Sequence, residues 1–509
     1  MTLCSPIRRG CRLLFAAAGL LFAPNHAPAR QPDGRLAVTV VDSESGETTP
    51  ARVHLKTGRG RPAPTKGWGL APLGDHAYLD GSAVLGLKRG AYRFDLIAGP
   101  EYRTRHGGFE IKRHADDGQR IEVERFANLA DEGWLAADLA THRPKNDAEL
   151  LRRTERLDWF PTITHRWEAA EWKPAETAYR QQKEDGEPDS YGALYSTPAG
   201  VGWVVDPSGE LRADDLPDAA LSAAELYRAA REAGWRVVVS STSAELPLWV
   251  AHDLVDAVVI LDGWSESLSK KEAESYSAER NKLHYPGAEG AGRWRVDRYW
   301  RLIEAGVRLP PVGLTGSGLN ETPIGDTRVY AHSQAEPSPQ ALSQSLWNAI
   351  QDGATVVTNG PLLRPFVNGS PPGEVFLLSK GERREFEIGL NLATRSPIEY
   401  LEIIKNGKVL HSVRLEEFVG KQGRLPKVPF QESGWFAVTA VVDSVSRYQA
   451  AVSAPFYVES EDGLRPGRAA VQYWSEQLEQ AAERFESEQT EAYQQAREYW
   501  QQKLADARD

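Results

Sequence analysis

The spacing of apolar positions changes along the chain, and each change marks a different kind of predicted structure. Over residues 34–127 the apolar runs are short: residues 36–41 (LAVTVV) are rich in β-branched residues, residues 121–124 (IEVE) alternate strictly, and turn-forming residues such as 42–46 (DSESG) separate the runs. A period of two places successive side chains on opposite faces of a strand. The pattern predicts an N-terminal β-sandwich over residues 34–127.

Over residues 128–362 strand-like runs alternate with helical runs. Residues 236–240 (RVVVS) are mostly β-branched, while residues 222–234 have helical spacing and begin with Ser222, followed three residues later by Glu225. Ser and Glu at that spacing form a capping box at a helix start. Alternating strands and helices are typical of a parallel sheet, and about seven or eight such units favour a closed or nearly closed barrel.

After residue 362 the alternation returns and predicts a second β-sandwich over residues 363–460, with a hairpin turn at Asn406-Gly407. Residues 467–509 are polar, with an apolar stripe that includes Trp474, which predicts a polar C-terminal helix. This helix is expected either to fold back on the protein or to mediate self-association. Because its stripe is narrow, we expect it to be dispensable for folding of the preceding domains.

The fold class predicted from these patterns is therefore multidomain α/β. A central distorted (βα) barrel over residues 128–362 lies between two β-sandwich domains, and a C-terminal helix follows them.

The first 29 residues have the pattern of a signal peptide. A basic start at residues 8–12 precedes an apolar stretch at residues 13–23, and residues 27–29 (APA) offer small residues at a cleavage site. The apolar stretch is too short to predict a stable membrane span. Both cysteines, Cys4 and Cys11, lie in this segment. The mature chain is therefore expected to lack thiols, and the predicted location is the bacterial periplasm or the cell exterior.

Composition narrows the classes of partner. The 509 residues are 41% hydrophobic and 26% charged, with a formal net charge of −11, which is ordinary for a globular protein. No block of lysine and arginine concentrates positive charge, as binding to nucleic-acid phosphates requires. We therefore expect no nucleic-acid partner.

Residues that could carry chemistry are sought at the carboxyl ends of the predicted strands, because these ends converge on one rim of a parallel barrel. The candidates there are Asp138, His142, His165 and Asp262. A hydrolytic site with two or three metal ions usually uses several imidazoles and carboxylates. Residues 128–362 contain only five histidines, so the predicted site is short of ligands.

Residues 133–144 (GWLAADLATHRP) resemble the first strand of the PHP metallohydrolases (polymerase and histidinol phosphatase type). The similarity is to the exported CehA/McbA-like group, in which this strand reads G-W-x-x-x-D-L-H-x-H-R-P. Residues 245–251 (ELPLWVA), 323–332 (PIGDTRVYAH) and 358–363 (TNGPLL) are similar to later family segments in the same order. The resemblance implies a PHP-like barrel, a divalent metal (zinc or manganese) and hydrolysis of phosphate, ester or amide bonds.

The chain departs from the family pattern at two strand ends. Ala140 replaces the first histidine of H-x-H, and residues 315–318 (TGSG) replace the D-x-H of many PHP enzymes. The resemblance carries over Asp138 and His142 as metal ligands, and His165 or Asp262, which are found at strand ends, would be the catalytic group that completes a reduced site. On this basis Ala140→His is expected to raise zinc or manganese affinity by adding an imidazole two residues from His142.

Two functions stay open from the sequence. One is an exported PHP-like pseudoenzyme, a binding module with a degenerate or strongly altered metal site. Its ligand would be a small molecule, glycan or peptide at the barrel rim, in a pocket lined by Trp134, His142, His165, Arg166 and Trp167. The other is an active metal-dependent hydrolase. Ligand loss at two separate strand ends favours the binding module, because each lost ligand removes a large part of the metal-binding free energy.

Overall fold

Sheets dominate the computed structural model of the chain: strands hold 38% and helices 24% of the residues that it describes. The residues that the structure describes are 32–63, 76–143, 145–168, 171–175, 191–210, 212, 215, 222–334, 337–444, 446–485 and 490–508. The signal-peptide prediction for residues 1–29 lies outside these described residues.

The N-terminal strands form a β-sandwich, which confirms the predicted sandwich character. The strands are β1 (Gly34–Asp42), β2 (Ala51–Thr57), β3 (His76–Leu79), β4 (Ser82–Leu87), β5 (Gly90–Ile97), β6 (Arg105–Ile111) and β7 (Asp116–Val123). One sheet has the order β4-β1-β7 and the other β3-β2-β5-β6. Val38 from the first sheet and Val53 and Leu96 from the second are buried in one core. The alternation of apolar residues along β1 places this face inward.

The strands of the middle region are β8 (Trp134–Ala137), β9 (Thr162–Glu168), β10 (Glu171–Pro174), β11 (Tyr191–Thr197), β12 (Gly200–Val205), β13 (Arg236–Ser240), β14 (Ala257–Asp262) and β15 (Pro311–Leu314). All of these except β8 form a mixed sheet in the order β10-β9-β11-β12-β13-β14-β15. The pairs β9–β11, β13–β14 and β14–β15 are parallel, whereas β10–β9, β11–β12 and β12–β13 are antiparallel.

Strand β8 belongs to a second large sheet, which continues into the C-terminal region. The remaining strands are β16 (Arg328–His332), β17 (Thr355–Thr358), β18 (Leu362–Val367), β19 (Val375–Leu377), β20 (Arg384–Phe386), β21 (Ile388–Ala393), β22 (Ile398–Lys405), β23 (Lys408–Arg414), β24 (Val428–Phe430), β25 (Gly434–Val442), β26 (Ala450–Ser453) and β27 (Phe456–Glu459). The sheet runs β19-β27-β25-β26-β17-β16-β8, with β22 added beside β25 and β23 beside β22.

The helices lie mainly between strands of the middle region. They are α1 (Lys145–Glu155), α2 (Ala223–Glu232), α3 (Leu246–Ala251), α4 (Gly263–Ser267), α5 (Lys270–Ser275), α6 (Gly287–Glu304), α7 (Leu342–Gln351) and α8 (Leu415–Gly420), with a 3-10 turn at Pro339–Ala341. Helix α2 begins with the predicted capping box of Ser222 and Glu225. Among the described residues no helix is both long and apolar enough to cross a membrane.

The predicted fold class, with a central α/β barrel, is wrong. In the described part of the chain, β8, β16 and β17 pair within the sheet that reaches the C-terminal strands through β26, while seven other strands form a separate mixed sheet. Among the described residues, isolated bridges such as Thr141–Thr162 and Thr141–Ser317, and no continuous strand ladder, connect the two sheets. The physical reason is strand direction. Two residues separate β11 from β12, so they pair antiparallel, whereas a parallel pair needs a long crossover.

The tail forms two helices, α9 (Arg468–Arg484) and α10 (Glu491–Ala505), rather than one. Their outer ends meet where the Arg468 N–H donates to the Arg508 carbonyl at 2.9 Å. The rings of Trp474 and Trp500 stack with centroids 6.4 Å apart, and both side chains are fully buried in the main core. The structure therefore revises the expectation that the tail is dispensable.

Arg298, a buried cation on α6, attaches α9 to the middle region. Its guanidinium donates to the Tyr473 hydroxyl and to Gln477 Oε1, each at 2.7 Å, and to the Ser241 carbonyl at 2.7 Å. It also lies 4.7 Å from the ring centroid of Trp474. Polar and cation–π contacts replace water around a charge that has no carboxylate partner within 4 Å among the described residues.

We predict that Trp500→Ala lowers the free energy of unfolding by about 3–5 kcal/mol, because it opens a cavity in the core and removes the hydrogen bond from Trp500 Nε1 to the Pro247 carbonyl. Denaturant unfolding measures this loss. The neighbouring exposed variant Gln501→Ala should stay within about 0.5 kcal/mol of the wild type. Equal stability of the two variants would show that the tail is not part of the core.

Candidate functional site

The carboxylate of Asp138 is fully buried and joins the edges of the two large sheets. It follows β8, and its Oδ1 accepts the backbone N–H of Thr315, just after β15, at 3.0 Å. Its Oδ2 accepts the Thr315 hydroxyl and, at 2.9 Å, the N–H of Gly325, which precedes β16. The Ala140 N–H lies 3.4 Å from Oδ1 and completes a set of four donors.

Burial raises the pKa of Asp138 to about 6, and the hydrogen bonds from Thr315, Gly325 and Ala140 oppose that rise. No cation pairs with this carboxylate within the described residues. An acid with a higher pKa in the folded state binds its proton more tightly when folded. The contribution of Asp138 to stability is therefore largest below about pH 4 and falls as the pH rises to about 6.

His142 is fully buried beside the same loop. Its backbone N–H donates to the Ser317 carbonyl at 2.7 Å, whereas neither ring nitrogen has a well-aligned hydrogen-bond partner. Burial lowers the pKa of His142 to about 3, with an opposing effect of the Ile163 backbone. The imidazole is therefore neutral at physiological pH and is closed off from solvent.

The loop at residues 315–318 has no room for a side chain at either of its two glycines. A Cβ on Gly318, whose φ is +104°, would lie 2.3 Å from the His142 carbonyl oxygen. A Cβ on Gly316, at φ +64°, would lie 2.7 Å from Cβ of Trp264. Cβ contacts that short essentially do not occur, and both φ values favour glycine. The glycines allow the loop to pack closely against neighbouring segments.

These residues do not fit a metal centre. Both oxygens of Asp138 face N–H and O–H donors, whereas a ligand oxygen must direct a lone pair at the ion. Ala140 is buried in the apolar core. Within the described ranges no group of three or more His, Cys, Asp or Glu residues could hold a metal ion. The zinc or manganese implied by the resemblance therefore lacks a ligand set here, and no step is derived through it.

The two predicted catalytic groups have local partners. His165 is half-buried on β9, with Nδ1 3.0 Å from the Thr164 hydroxyl. Asp262 is buried at the end of β14, and its Oδ1 accepts the Ser265 N–H at 3.0 Å as the N-cap of α4. Neither side chain lines the two large cavities described next. The four predicted site residues therefore do not share one solvent-open centre.

Two adjoining cavities, together called the groove, open near Thr315 and α4. The larger has a volume of about 1470 Å³ and the smaller about 1100 Å³. They share the lining residues Ser267, Leu268, Thr322 and Arg447. A volume of this size is sufficient for an extended ligand of several rings.

Aromatic side chains line the smaller cavity. Trp264 and Tyr276 have ring centroids 6.1 Å apart, and both line this cavity together with Trp167. Trp167 is supported by Tyr195, at a centroid distance of 5.5 Å. Neither Trp264 nor Tyr276 was predicted from the sequence, although the Gly-Trp pair directly after β14 places Trp264 at a strand end.

Of the five residues of the pocket predicted from the sequence, two line the smaller cavity and three do not. Arg166 and Trp167 line the smaller cavity. Trp134, in contrast, is buried against the rings of His332 and Phe366, at centroid distances of 5.2 and 6.0 Å. Trp134 and the buried His142 therefore do not contribute to it.

Ion pairs fix charged side chains along the groove. Arg447, which follows β25, donates to Asp326 Oδ2 at 2.6 Å, and both residues line the smaller cavity. Arg295 on α6 pairs with Glu266 on α4 at 3.1 Å. Arg447 was not predicted from the sequence, because no local pattern indicates that it pairs with a residue 121 positions away.

We predict that Asp138→Asn lowers the free energy of unfolding by about 1–3 kcal/mol, because the amide nitrogen would face N–H donors. The deficit relative to wild type should shrink as the pH rises from about 4 to 6, since only the wild type loses stability by proton linkage there. Urea unfolding at several pH values tests both effects. The exposed control Asp253→Asn, at φ +54°, should change little. A deficit that grows with pH would contradict the assigned environment of Asp138.

The structure reverses the expectation for Ala140→His. An imidazole at this fully buried position overpacks the core, so we predict a loss of about 1–3 kcal/mol of stability and no gain of bound metal. Denaturation and metal analysis after incubation with zinc measure the two effects. The exposed variant Ala505→His controls for an added imidazole. A stable Ala140→His protein with stoichiometric zinc would show that a metal geometry is present.

Comparisons with known proteins assign no family. No family model and no curated protein matches the chain. It is similar to the fibronectin(III)-like modules of Clostridium thermocellum CbhA at 12% identity and a TM-score of 0.14, covering 19% of this chain and 97% of that one. It is also similar to the N-terminal four Ig domains of Dscam1 isoform 8.4 at 10% identity and a TM-score of 0.14, covering 85% and 98%. TM-scores this low carry no argument, and the PHP resemblance stays a prediction.

Proposed function

We propose that this protein is an exported, non-catalytic binding protein that holds a saccharide in the groove. The observation that carries the proposal is that Trp167, Trp264 and Tyr276 line one cavity together with planar polar side chains such as Asn320 and Arg447. Sugar rings present apolar C–H faces that pack on aromatic rings, and their hydroxyls pair with amide, carboxylate and guanidinium groups.

The side chains that line the smaller cavity are held in place by contacts within the protein, which supports binding of a ligand to a preformed surface. The Trp264 side chain is buried except for its contact with the cavity, and Arg447 is fixed by Asp326 at 2.6 Å. The Asn320 side-chain amide donates to the Thr315 carbonyl at 2.9 Å, and its Oδ1 accepts the Thr322 N–H at 2.9 Å. Side chains already held in place lose little conformational entropy when a ligand binds.

The alternative, a metal-dependent hydrolase, has less support. It needs Asp138 and His142 as ligands, but the first accepts four hydrogen bonds and the second is buried away from the groove lining. For this reason the proposal contains no hydrolytic step.

Export is part of the proposal. It is supported by the basic, apolar and small-residue order of residues 1–29 and by the confinement of both cysteines to positions 4 and 11. Self-association through the tail is not included, because its apolar residues Trp474, Leu478 and Trp500 pack into the core of the same chain.

Isothermal titration of the mature protein with neutral oligosaccharides of several sugar types tests the proposal. We predict that Tyr276→Ala weakens saccharide binding about tenfold, which corresponds to about 1.4 kcal/mol of lost stacking. Tyr276→Phe keeps the ring and serves as the matched control, so it should retain most of the affinity. Absence of binding to every saccharide, or binding that Tyr276→Ala and Trp167→Ala leave unchanged, would contradict the proposal.

A further inference from the structure

We infer that the saccharide bound in the groove is acidic, with carboxylate or sulfate groups that lie in the larger cavity against Arg280 and Arg484. This inference rests on the proposed function, because it concerns the ligand of the same groove. It names the charge of that ligand and the end of the groove that recognises it.

The larger cavity carries an excess of positive charge. Its lining contains five basic side chains and three acidic ones, although the whole chain has a net charge of −11. The basic residues are Arg280, Lys282, Arg295, Arg447 and Arg484, and the acidic residues are Glu266, Glu274 and Glu279. A local field opposite in sign to the whole protein favours an anionic ligand at this place.

Three of the five cations are neutralised by carboxylates. Lys282 pairs with Glu274 at 3.0 Å, and Arg295 pairs with Glu266 at 3.1 Å. The third pair, Arg447 with Asp326, was described above. These ion pairs shape the walls of the cavity, and their charges largely cancel. Among the described lining residues, Arg280 and Arg484 are the cations left without an ion pair, and Glu279 is the one acidic residue left over, so the remaining charge is positive.

Backbone carbonyls hold Arg280 in place without neutralising it. Its Nη1 donates to the Tyr285 carbonyl at 3.1 Å and to the Gly287 carbonyl at 2.8 Å. No other hydrogen bond or ion pair links its guanidinium to the described residues. The Nε and Nη2 hydrogens remain, and a guanidinium edge matches the two oxygens of a carboxylate or sulfate.

Arg484 is held in the same way in the last turn of α9. Its Nη1 donates to the Ser277 carbonyl at 2.9 Å and its Nη2 to the Ser275 carbonyl at 3.3 Å. These carbonyls belong to the segment around α5 that precedes Arg280. Both guanidiniums are thus attached to one wall of the larger cavity and present two positive charges to one ligand.

The groove therefore has two chemically different ends. The smaller cavity offers Trp167, Trp264 and Tyr276 to the apolar faces of sugar rings, and the larger offers cations with free N–H groups. A neutral sugar would leave the two unpaired guanidiniums unmatched. An acidic saccharide satisfies both ends at once, since its rings and its anionic groups are parts of one chain.

The test compares three ligands of equal length by isothermal titration: a neutral galacto-oligosaccharide, an oligogalacturonate and a sulfated galacto-oligosaccharide. We predict that at least one acidic ligand binds about tenfold or more tightly than the neutral one at low salt. Its advantage should fall as NaCl is raised from 50 to 300 mM, because salt screens exposed charges. The two acidic arms distinguish carboxylate from sulfate.

Paired variants locate the effect. The double variant Arg280→Gln, Arg484→Gln should erase the preference for acidic ligands and leave the affinity for the neutral one unchanged. Tyr276→Ala should weaken both classes equally. Lys421→Gln, an exposed position outside the groove lining, controls for loss of a positive charge. The ligand comparison and the salt series use the wild-type protein, so the inference stays testable if the double variant fails to fold.

The outcomes separate the inference from the proposed function. Equal binding of neutral and acidic saccharides, still dependent on Tyr276, would overturn the inference and leave the proposed function standing. Binding of an acidic peptide with no binding of any saccharide would overturn both. An acidic preference that persists in the double variant would place the recognition elsewhere and overturn the assignment of Arg280 and Arg484.

Discussion

The buried carboxylate of Asp138 connects the two largest sheets at the point where their edges meet. It accepts donors from Thr315, which follows the edge strand β15, and from Gly325, which precedes β16. A charge taken out of water without a cation is stable only when hydrogen bonds surround it. The segment from Thr315 to Gly325 must therefore keep one conformation. That segment supplies Thr322 to both cavities of the groove.

The same hydrogen bonds leave Asp138 unsuited to be a metal ligand. A ligand carboxylate needs free lone pairs and neighbouring imidazoles, but here the lone pairs meet backbone N–H groups, and Gly316 and Gly318 bring the loop too close for added side chains. Asp138, which the resemblance implies is a metal ligand, and the loop at residues 315–318 therefore have a structural role. They position the groove beside them, where the aromatic and charged side chains are accessible.

The far wall of the groove depends on the tail. Arg298 holds α9 through Tyr473, Gln477 and the ring of Trp474, and Trp500 fixes α10 against Pro247. These contacts bring Arg484 to the segment that carries Arg280. The tail is therefore part of the proposed binding site as well as of the core, although its sequence alone indicates only a polar helix.

Local patterns determined the elements whose partners are near in sequence. The alternation of apolar and polar residues predicted the strands of the N-terminal sandwich. Ser222 and Glu225 predicted the start of α2. Asn406-Gly407 predicted the turn between β22 and β23, where both residues adopt positive φ. Such features depend on backbone and side-chain preferences within a few residues. The pairing of β8 with β16 does not, and neither do the pairing of Arg447 with Asp326 or the burial of Trp134 against His332 and Phe366. These depend on contacts between segments more than a hundred residues apart, which a period of apolar residues cannot specify.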